Sequence, residues 1–276
     1  MDKICFIHIE KAGGSTLHNW FKYYMPNYLS LDPYYTWTNE KDSEFSNREL
    51  EILKMFHPMI SGFGGHRLRS YLCYEDLFNQ NLKYITFLRN PIARYLSHFQ
   101  HQNEMMKNER SLNEFLNERR FNNFMCVKIC GKQDGVLAFK QLKKMFSFVG
   151  FVEDFNKSLL LLCNEFSNHS IQPYYEKKNE GNRNMKINFD KLDENFQFKI
   201  EQNNREDIIL YKLAKDYFSN IYDINYKGNI NEDLKIFEKK LQFFRYKILR
   251  KKIIRIIKGY NHFITEPISR KLVQNE

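Results

Sequence analysis

A chain of 276 residues, 42% hydrophobic and 16% aromatic, has enough apolar surface for one large core. Its net charge of +10 taken alone suggests a polyanionic partner such as nucleic acid, but ten Lys or Arg and one acid, Glu238, fall between Lys235 and Lys258, which leaves the first 234 residues close to neutral. Five cysteines (Cys5, Cys73, Cys126, Cys130, Cys163), odd in number and without a CxxC pair, argue against a disulfide framework or a zinc site and fit a reducing compartment.

The N-terminus runs from Met1-Asp2-Lys3 into ICFIHI, too short for a signal-peptide core, and nowhere do ~18 apolar residues follow one another. A cytoplasmic chain is the expectation. Ile4 to Ile9 is a nearly continuous apolar run that reads as a strand buried on both faces. A glycine pair follows it, then Leu17, Trp20, Phe21 and Tyr24 at helical spacing, with Ser15 or Thr16 placed as the N-cap. Residues 26 to 47 mix aromatics with Pro, Asn, Asp and Ser without a sustained period and read as loop. ISGFGGHRLRSY contains a glycine-rich turn before His66.

Tyr84 to Leu88 predicts a second buried strand, stopped by Arg89-Asn90-Pro91, with Pro91 in the first turn of a helix running from Ile92 past Gln102. A helix around Val136 to Met145, a strand at Ser147 to Val152 and a helix at Phe155 to Phe166 continue the alternation. Residues 196 to 218 predict one more helix, with Leu210, Leu213, Ala214 and Tyr217 as its apolar stripe. Strands alternating with helices indicate an α/β domain with a mainly parallel sheet, whose ligands sit beyond the carboxyl ends of the strands. After it comes a basic amphipathic tail, with Leu234, Phe237, Leu241, Phe244 and Ile248 at helical spacing, cations between them, and Ile253, Ile254, Ile256 and Ile257 adding apolar weight. The expected division is a catalytic domain over 1–225 and the tail over 226–276.

Two segments carry chemistry. In IEKAGGSTL (9–17) a strand, a glycine loop and a helix start converge backbone N–H groups and a positive helix end on one space, with Lys11 as a point charge and Ser15 and Thr16 as hydroxyl donors. This is an anion site, and it is not a Walker A loop, because the lysine precedes both glycines. The bland alternative is a tight turn with a surface lysine. In YITFLRNPIARYLSHF (84–99) Arg89 ends a strand and offers a forked donor suited to phosphate, while Ser97 offers a hydroxyl two turns into the helix. Arg94 reads as a helix-surface charge.

Together the two segments resemble the nucleotide-binding motifs of the sulfotransferases related to heparan sulfate 2-O- and 6-O-sulfotransferases and their bacterial relatives. IHIEKAGGSTL is similar to the 5′-phosphosulfate loop and FLRNPIARYLSHF to the 3′-phosphate motif. NNFMCVKICG (122–131), FSFVGFVEDFNKSLLLL (146–162) and NREDIILYKLAKDYF (204–218) resemble weaker family blocks, so the likeness covers roughly residues 3 to 220. It implies a P-loop-like three-layer α/β sulfotransferase fold that binds 3′-phosphoadenosine-5′-phosphosulfate (PAPS) as co-substrate without a metal. On that reading Lys11, Gly13, Gly14, Ser15 and Thr16 hold the 5′-phosphosulfate, Arg89 and Ser97 hold the 3′-phosphate, and Lys177-Lys178-Asn179 to Arg183 either add contacts or form a solvated loop. Three departures stand out: Glu10 where the family usually has proline, Ala12 where it often has a hydroxyl residue, and Asn90 where it usually has aspartate.

Sulfuryl transfer needs a base for the acceptor hydroxyl, and histidine suits that task near neutrality. Relatives often carry a Gly-His pair between the two motifs, which points to His66 as base, with Lys11 steadying the leaving phosphate. Glu10 is the rival base, though its place beside Lys11 favours an ion pair. His8 reads as a core or site-wall histidine, His98 and His101 as structural or peripheral. The expected acceptor is a saccharide. Tyr34, Tyr35 and Trp37 could stack on sugar rings, and Arg67 and Arg69 could hold an anionic one, although loop packing and solvated arginines are the commoner cases. For the tail, attachment to an anionic inner membrane leaflet stands beside packing on the core or on a second subunit, with nucleic acid third and not expected as a partner. The competing function classes are a non-catalytic nucleotide-binding or membrane-surface module and a P-loop kinase.

Overall fold

Strand β1 (Lys3–Ile7) takes an apolar residue at nearly every position because both of its faces are covered. Ile4 and Phe6 enter one core cluster and Cys5 and Ile7 another, so the two-residue period of a strand sends alternate side chains into separate cores. The computed structural model describes residues 2–31, 44–79, 82–106, 110–169, 171–176, 187–245 and 248–274. Tyr34, Tyr35, Trp37 and the segment from Lys177 to Arg183 lie outside the described residues.

After β1 come α1 (Gly14–Tyr24), β2 (Tyr28–Ser30), α2 (Asn47–Phe56), β3 (Gly62–Gly65), β4 (Leu82–Leu88) and α3 (Pro91–Met106). Then follow α4 (Leu112–Leu116), α5 (Phe124–Cys130), α6 (Gly135–Met145), β5 (Phe146–Phe151), α7 (Phe155–Glu165), α8 (Glu194–Asn203) and α9 (Arg205–Asn225). The strands form one parallel sheet in the order β2-β3-β1-β4-β5. Leu17, Trp20 and Phe21 of α1 and Leu159 and Leu162 of α7 fill one face, while Leu50 and Leu53 of α2, Ile129 of α5, Leu142 of α6 and Leu210 of α9 fill the other. The architecture is α/β, with helices on both sides of an open parallel sheet.

Several elements differ from the expectation. Tyr28–Ser30, expected as loop, is the edge strand β2, and the glycine-rich turn before His66 is the inner strand β3. Glycine is required there by crowding: a Cβ at Gly64 would lie 2.2 Å from the Tyr28 hydroxyl, and one at Gly62 2.9 Å from the Ile4 carbonyl. The single helix expected over 196 to 218 is two, broken at Asn204, a buried residue whose side chain turns back to the Ile200 carbonyl at 2.7 Å.

The tail is also broken, into α10 (Ile230–Leu241), α11 (Ile248–Tyr260) and α12 (Glu266–Gln274), with a wider π-type turn at Asn261–Thr265 joining the last two. From Leu234 to Phe244 its expected apolar stripe faces the domain. Phe237 is buried, Leu234 and Leu241 pack on the α1–α7 core, and Phe244 stacks on Tyr174. Lys251 ties α11 to Glu176 at 2.8 Å. Among the described residues no helix is long and apolar enough to cross a membrane.

Candidate functional site

The connection leaving β1 runs to β2 on one side of the sheet, and the connection leaving β4 runs to β5 on the other. The carboxyl ends of β1 and β4 therefore flank a topological switch point, where open parallel sheets bind ligands. The loop after β1 lies at this point. Lys11 has a positive φ of 67° and Gly13 one of 78°, which turns the chain sharply into α1. Ser15 and Thr16 are not the N-cap: Gly13 holds that position without a side-chain cap, and the two hydroxyl residues stand inside the first turn. The first-turn N–H groups of an eleven-residue helix thus stand at the switch point, with Ser15 and Thr16 in that same turn.

The glycines have separate jobs. Gly13 permits the left-handed turn. Gly14 is bare because the His8 ring lies on it, and a Cβ there would sit 1.7 Å from His8 Nε2. His8 is buried and hydrogen-bonds His18 at 3.0 Å, and His18 meets the Tyr28 hydroxyl at 2.9 Å. Burial, followed by the neighbouring His66, His18, Lys128 and Lys11, pushes the His8 pKa well below its ordinary value, so it is a neutral wall of the site.

Arg89, directly after β4, donates to the Lys11 carbonyl at 2.9 Å and so braces the loop. Burial and the nearby Arg89 guanidinium lower the Lys11 pKa, partly countered by Glu104; burial likewise lowers that of Arg89, partly countered by Glu153. The Glu153 carboxylate oxygens themselves accept from the Asn90 N–H at 2.7 Å and the Tyr211 hydroxyl at 2.8 Å. Two crowded, half-buried cations beside a helix N-terminus are an arrangement that an anion relieves. Asn90 Oδ1 accepts from the Ala93 N–H at 3.0 Å and caps α3, a task for which Asn and Asp serve alike.

His66 follows β3 on the other side of β1, stacked on His8 with centroids 3.9 Å apart. Its Nδ1 lies 3.3 Å from the His8 carbonyl and 3.6 Å from Glu10 Oε1. Its carbonyl accepts from Lys128 Nζ at 2.5 Å and Arg69 Nη1 at 2.7 Å. Lys128 also meets Glu10 Oε1 at 2.9 Å, so Glu10 pairs with Lys128 of α5 and not with Lys11. Burial opposes ionisation of Glu10, but Lys128 and His66 more than offset it and hold its pKa down to about 2. The negative charge that Glu10 brings to the candidate site is thereby already matched.

No family model matches the chain. No curated protein matches it either. The site therefore rests on its own geometry, which brings Lys11, Gly13, Gly14, Ser15, Thr16, Arg89 and His66 to the ends of three adjacent strands. Ser97 stands half-buried on α3, on the flank that carries His101 and Glu104, and both of these interact electrostatically with Lys11.

Three arginine readings are corrected. Arg94 is not a surface charge: it is fully buried, with its guanidinium over the Phe124 ring at 4.8 Å, 3.2 Å from His98 Nδ1, and within electrostatic reach of Asp207 and Glu10. Arg67 and Arg69 are not solvated either. Arg67 binds Glu49 at 3.0 Å and Arg69 wraps onto the carbonyls of His66 and Leu68, so both hold the loop that presents His66.

Sequence reasoning missed Lys128 and Asp207. Asp207 accepts from the N–H groups of Met125 and Cys126 at 3.0 and 2.9 Å, capping α5, while Asn123 Oδ1 accepts from Glu206 and Asp207 in return. This reciprocal cap aims α5, and with it Lys128, at His66. The signal lay in the NNFMCVKICG and NREDIILYKL blocks, but their pairing spans more than eighty residues of chain.

Proposed function

We propose that the chain is a sulfotransferase that moves a sulfuryl group from PAPS to a hydroxyl, with a saccharide as acceptor. The observation that carries this reading is the convergence of Lys11 and Arg89 on the first turn of α1 at the switch point, one strand away from His66. Lys11, Gly13, Gly14, Ser15 and Thr16 bind the 5′-phosphosulfate, and Arg89 with Ser97 binds the 3′-phosphate. This is the assignment that a P-loop-like sulfotransferase fold implies, and the lysine standing before the glycines fits it better than an ATP-binding loop.

The acceptor oxygen attacks sulfur as the bond from sulfur to the bridging phosphate oxygen breaks, giving a sulfate ester and 3′-phosphoadenosine-5′-phosphate. His66 takes the hydroxyl proton, with its Nδ1 side turned to Glu10, and Lys11 stabilises the charge developing on the leaving phosphate. No metal takes part in this scheme. The five free cysteines support a reducing compartment, and we place the enzyme in the cytoplasm.

The test is thermal unfolding with 3′-phosphoadenosine-5′-phosphate against ADP and ATP, with and without Mg²⁺. At ~100 times the dissociation constant a ligand adds about 2.7 kcal/mol, a rise of roughly 5 °C or more in a domain of this size. A metal-independent rise specific to the 3′-phosphate nucleotide is expected. No rise at saturation sinks the reading in favour of a non-catalytic module, and a rise confined to ATP with Mg²⁺ moves it to a kinase.

A further inference from the structure

The last two helices bury one flank and leave the other bare. On the inner flank, Asn261, Thr265 and Ser269 are buried, and Ile254 lines a small cleft with Lys22, Tyr28 and Ser30. On the outer flank, Ile253, Ile256, Tyr260, Phe263, Ile264 and Ile268 are all exposed, Ile256 by 71% and Phe263 by 77%. The π-type turn lies within this row and adds residues to its turn, between Tyr260 and Ile264, with Ile268 four residues further on. From Ile253 to Ile268 the row runs for about 23 Å. Scattered exposed aliphatics are ordinary on a protein surface, whereas a continuous row marks a surface that something covers.

The charge around the row says what covers it. Between Lys239 and Gln274 the sequence holds eleven Lys or Arg and one acid, Glu266. That acid is itself buried, 3.2 Å from His262. Lys252, Arg255 and Lys271 are exposed on the same two helices. A second copy of the chain would press like charges together across a two-fold interface. An anionic bilayer takes up an aliphatic row and a cationic margin at once.

We infer that the outer flank of α11 and α12 docks the chain on an anionic lipid bilayer, with the row from Ile253 to Ile268 at the acyl boundary and the flanking cations on the headgroups. The helices lie in the interface and do not cross it, in keeping with their length and composition. Of the apolar residues that the sequence offers in the tail, those of α10 around Phe237 are spent on the core, which leaves Ile253 and Ile256 of α11 to the docking surface. It is also independent of the chemistry at the strand ends.

The experiment is co-sedimentation of the full chain with vesicles of phosphatidylcholine alone and of phosphatidylcholine mixed with phosphatidylglycerol, at low and high salt. Two variants are compared, Ile256→Asp/Phe263→Asp and Lys252→Glu/Arg255→Glu. All four positions are exposed, and gel filtration with thermal unfolding checks that the folded monomer is retained. Binding to the mixed vesicles alone, weakened by salt and reduced about tenfold or more in each double variant, is expected. The donor-nucleotide thermal shift stays unchanged in both variants, which separates this inference from the sulfotransferase reading. Equal sedimentation of wild type and variants would overturn the inference. So would absence of binding to either vesicle, a dimer dissolved by Ile256→Asp/Phe263→Asp, or retention by RNA in place of vesicles.

Discussion

Glu10 illustrates how one carboxylate is fitted beside the proposed donor site. Its pKa of about 2 in the folded chain lies below the ordinary value of 4.5, so the stability it contributes is fully present above pH ~4.5 and is lost as pH falls through about 2. Glu10→Gln leaves the buried Lys128 ammonium without its counter-charge and is expected to cost roughly 2 kcal/mol or more at neutral pH. Urea unfolding from pH 7 down to pH 2 checks this: the gap between wild type and variant closes as wild-type Glu10 protonates. At the donor site, Lys11→Ala and Arg89→Ala are expected to weaken 3′-phosphoadenosine-5′-phosphate binding by about tenfold or more, since each removes a charge-assisted contact. His66→Ala is expected to leave that affinity within about twofold and to lower turnover by about 100-fold or more. Isothermal titration and a sulfate-transfer assay separate the two effects, and full turnover by His66→Ala would remove the base assignment.

At the scale of elements, the loop after β1 and the strand β3 are shaped by neighbours more than by their own residues. Gly14→Ala forces a methyl into the His8 ring and is expected to destabilise the fold by about 1–3 kcal/mol. His8→Ala in the same chain makes room, so a double-mutant cycle should return a coupling of at least ~1 kcal/mol between two positions that sequence spacing does not connect. Additive losses would mean that the ring moves aside freely. The cap between α5 and α9 is a second such dependence. Asp207→Ala orphans the Met125 and Cys126 N–H groups and is expected to cost about 1–3 kcal/mol by denaturant unfolding. Because α5 carries Lys128, it also loosens the loop that presents His66.

The whole molecule should be acid-sensitive. Burial, then Arg94, pushes the His98 pKa down to about 3, and burial also holds His8 well below its ordinary value. The unfolded chain takes up these protons near pH 6.5 and the native chain only lower, so stability falls as pH drops below about 6.5, for His98 by about 1.4 kcal/mol per pH unit toward pH 3, with His8 adding in the same direction. Chemical unfolding across that range measures it, and a flat profile would show that both rings protonate in the native state. What the sequence determined by itself is the run of buried strands and helix starts: Ile4 to Ile9, Tyr84 to Leu88 and Ser147 to Val152 lie within a residue or two of β1, β4 and β5, because buried parallel strands are written as local apolar runs. The two segments of the proposed donor site were legible for the same reason, as each is one continuous strand, turn and helix. Tertiary structure alone decided the rest. A glycine-rich stretch became β3 because neighbouring side chains fill the space above it, Arg94 went inward because α3 packs on α8 and α9 and the Phe124 ring receives its guanidinium, and Glu10 found Lys128 across more than a hundred residues. The tail turned its regular stripe to the core and left an aliphatic row outside, because a helix has two flanks and periodicity does not say which one meets the domain.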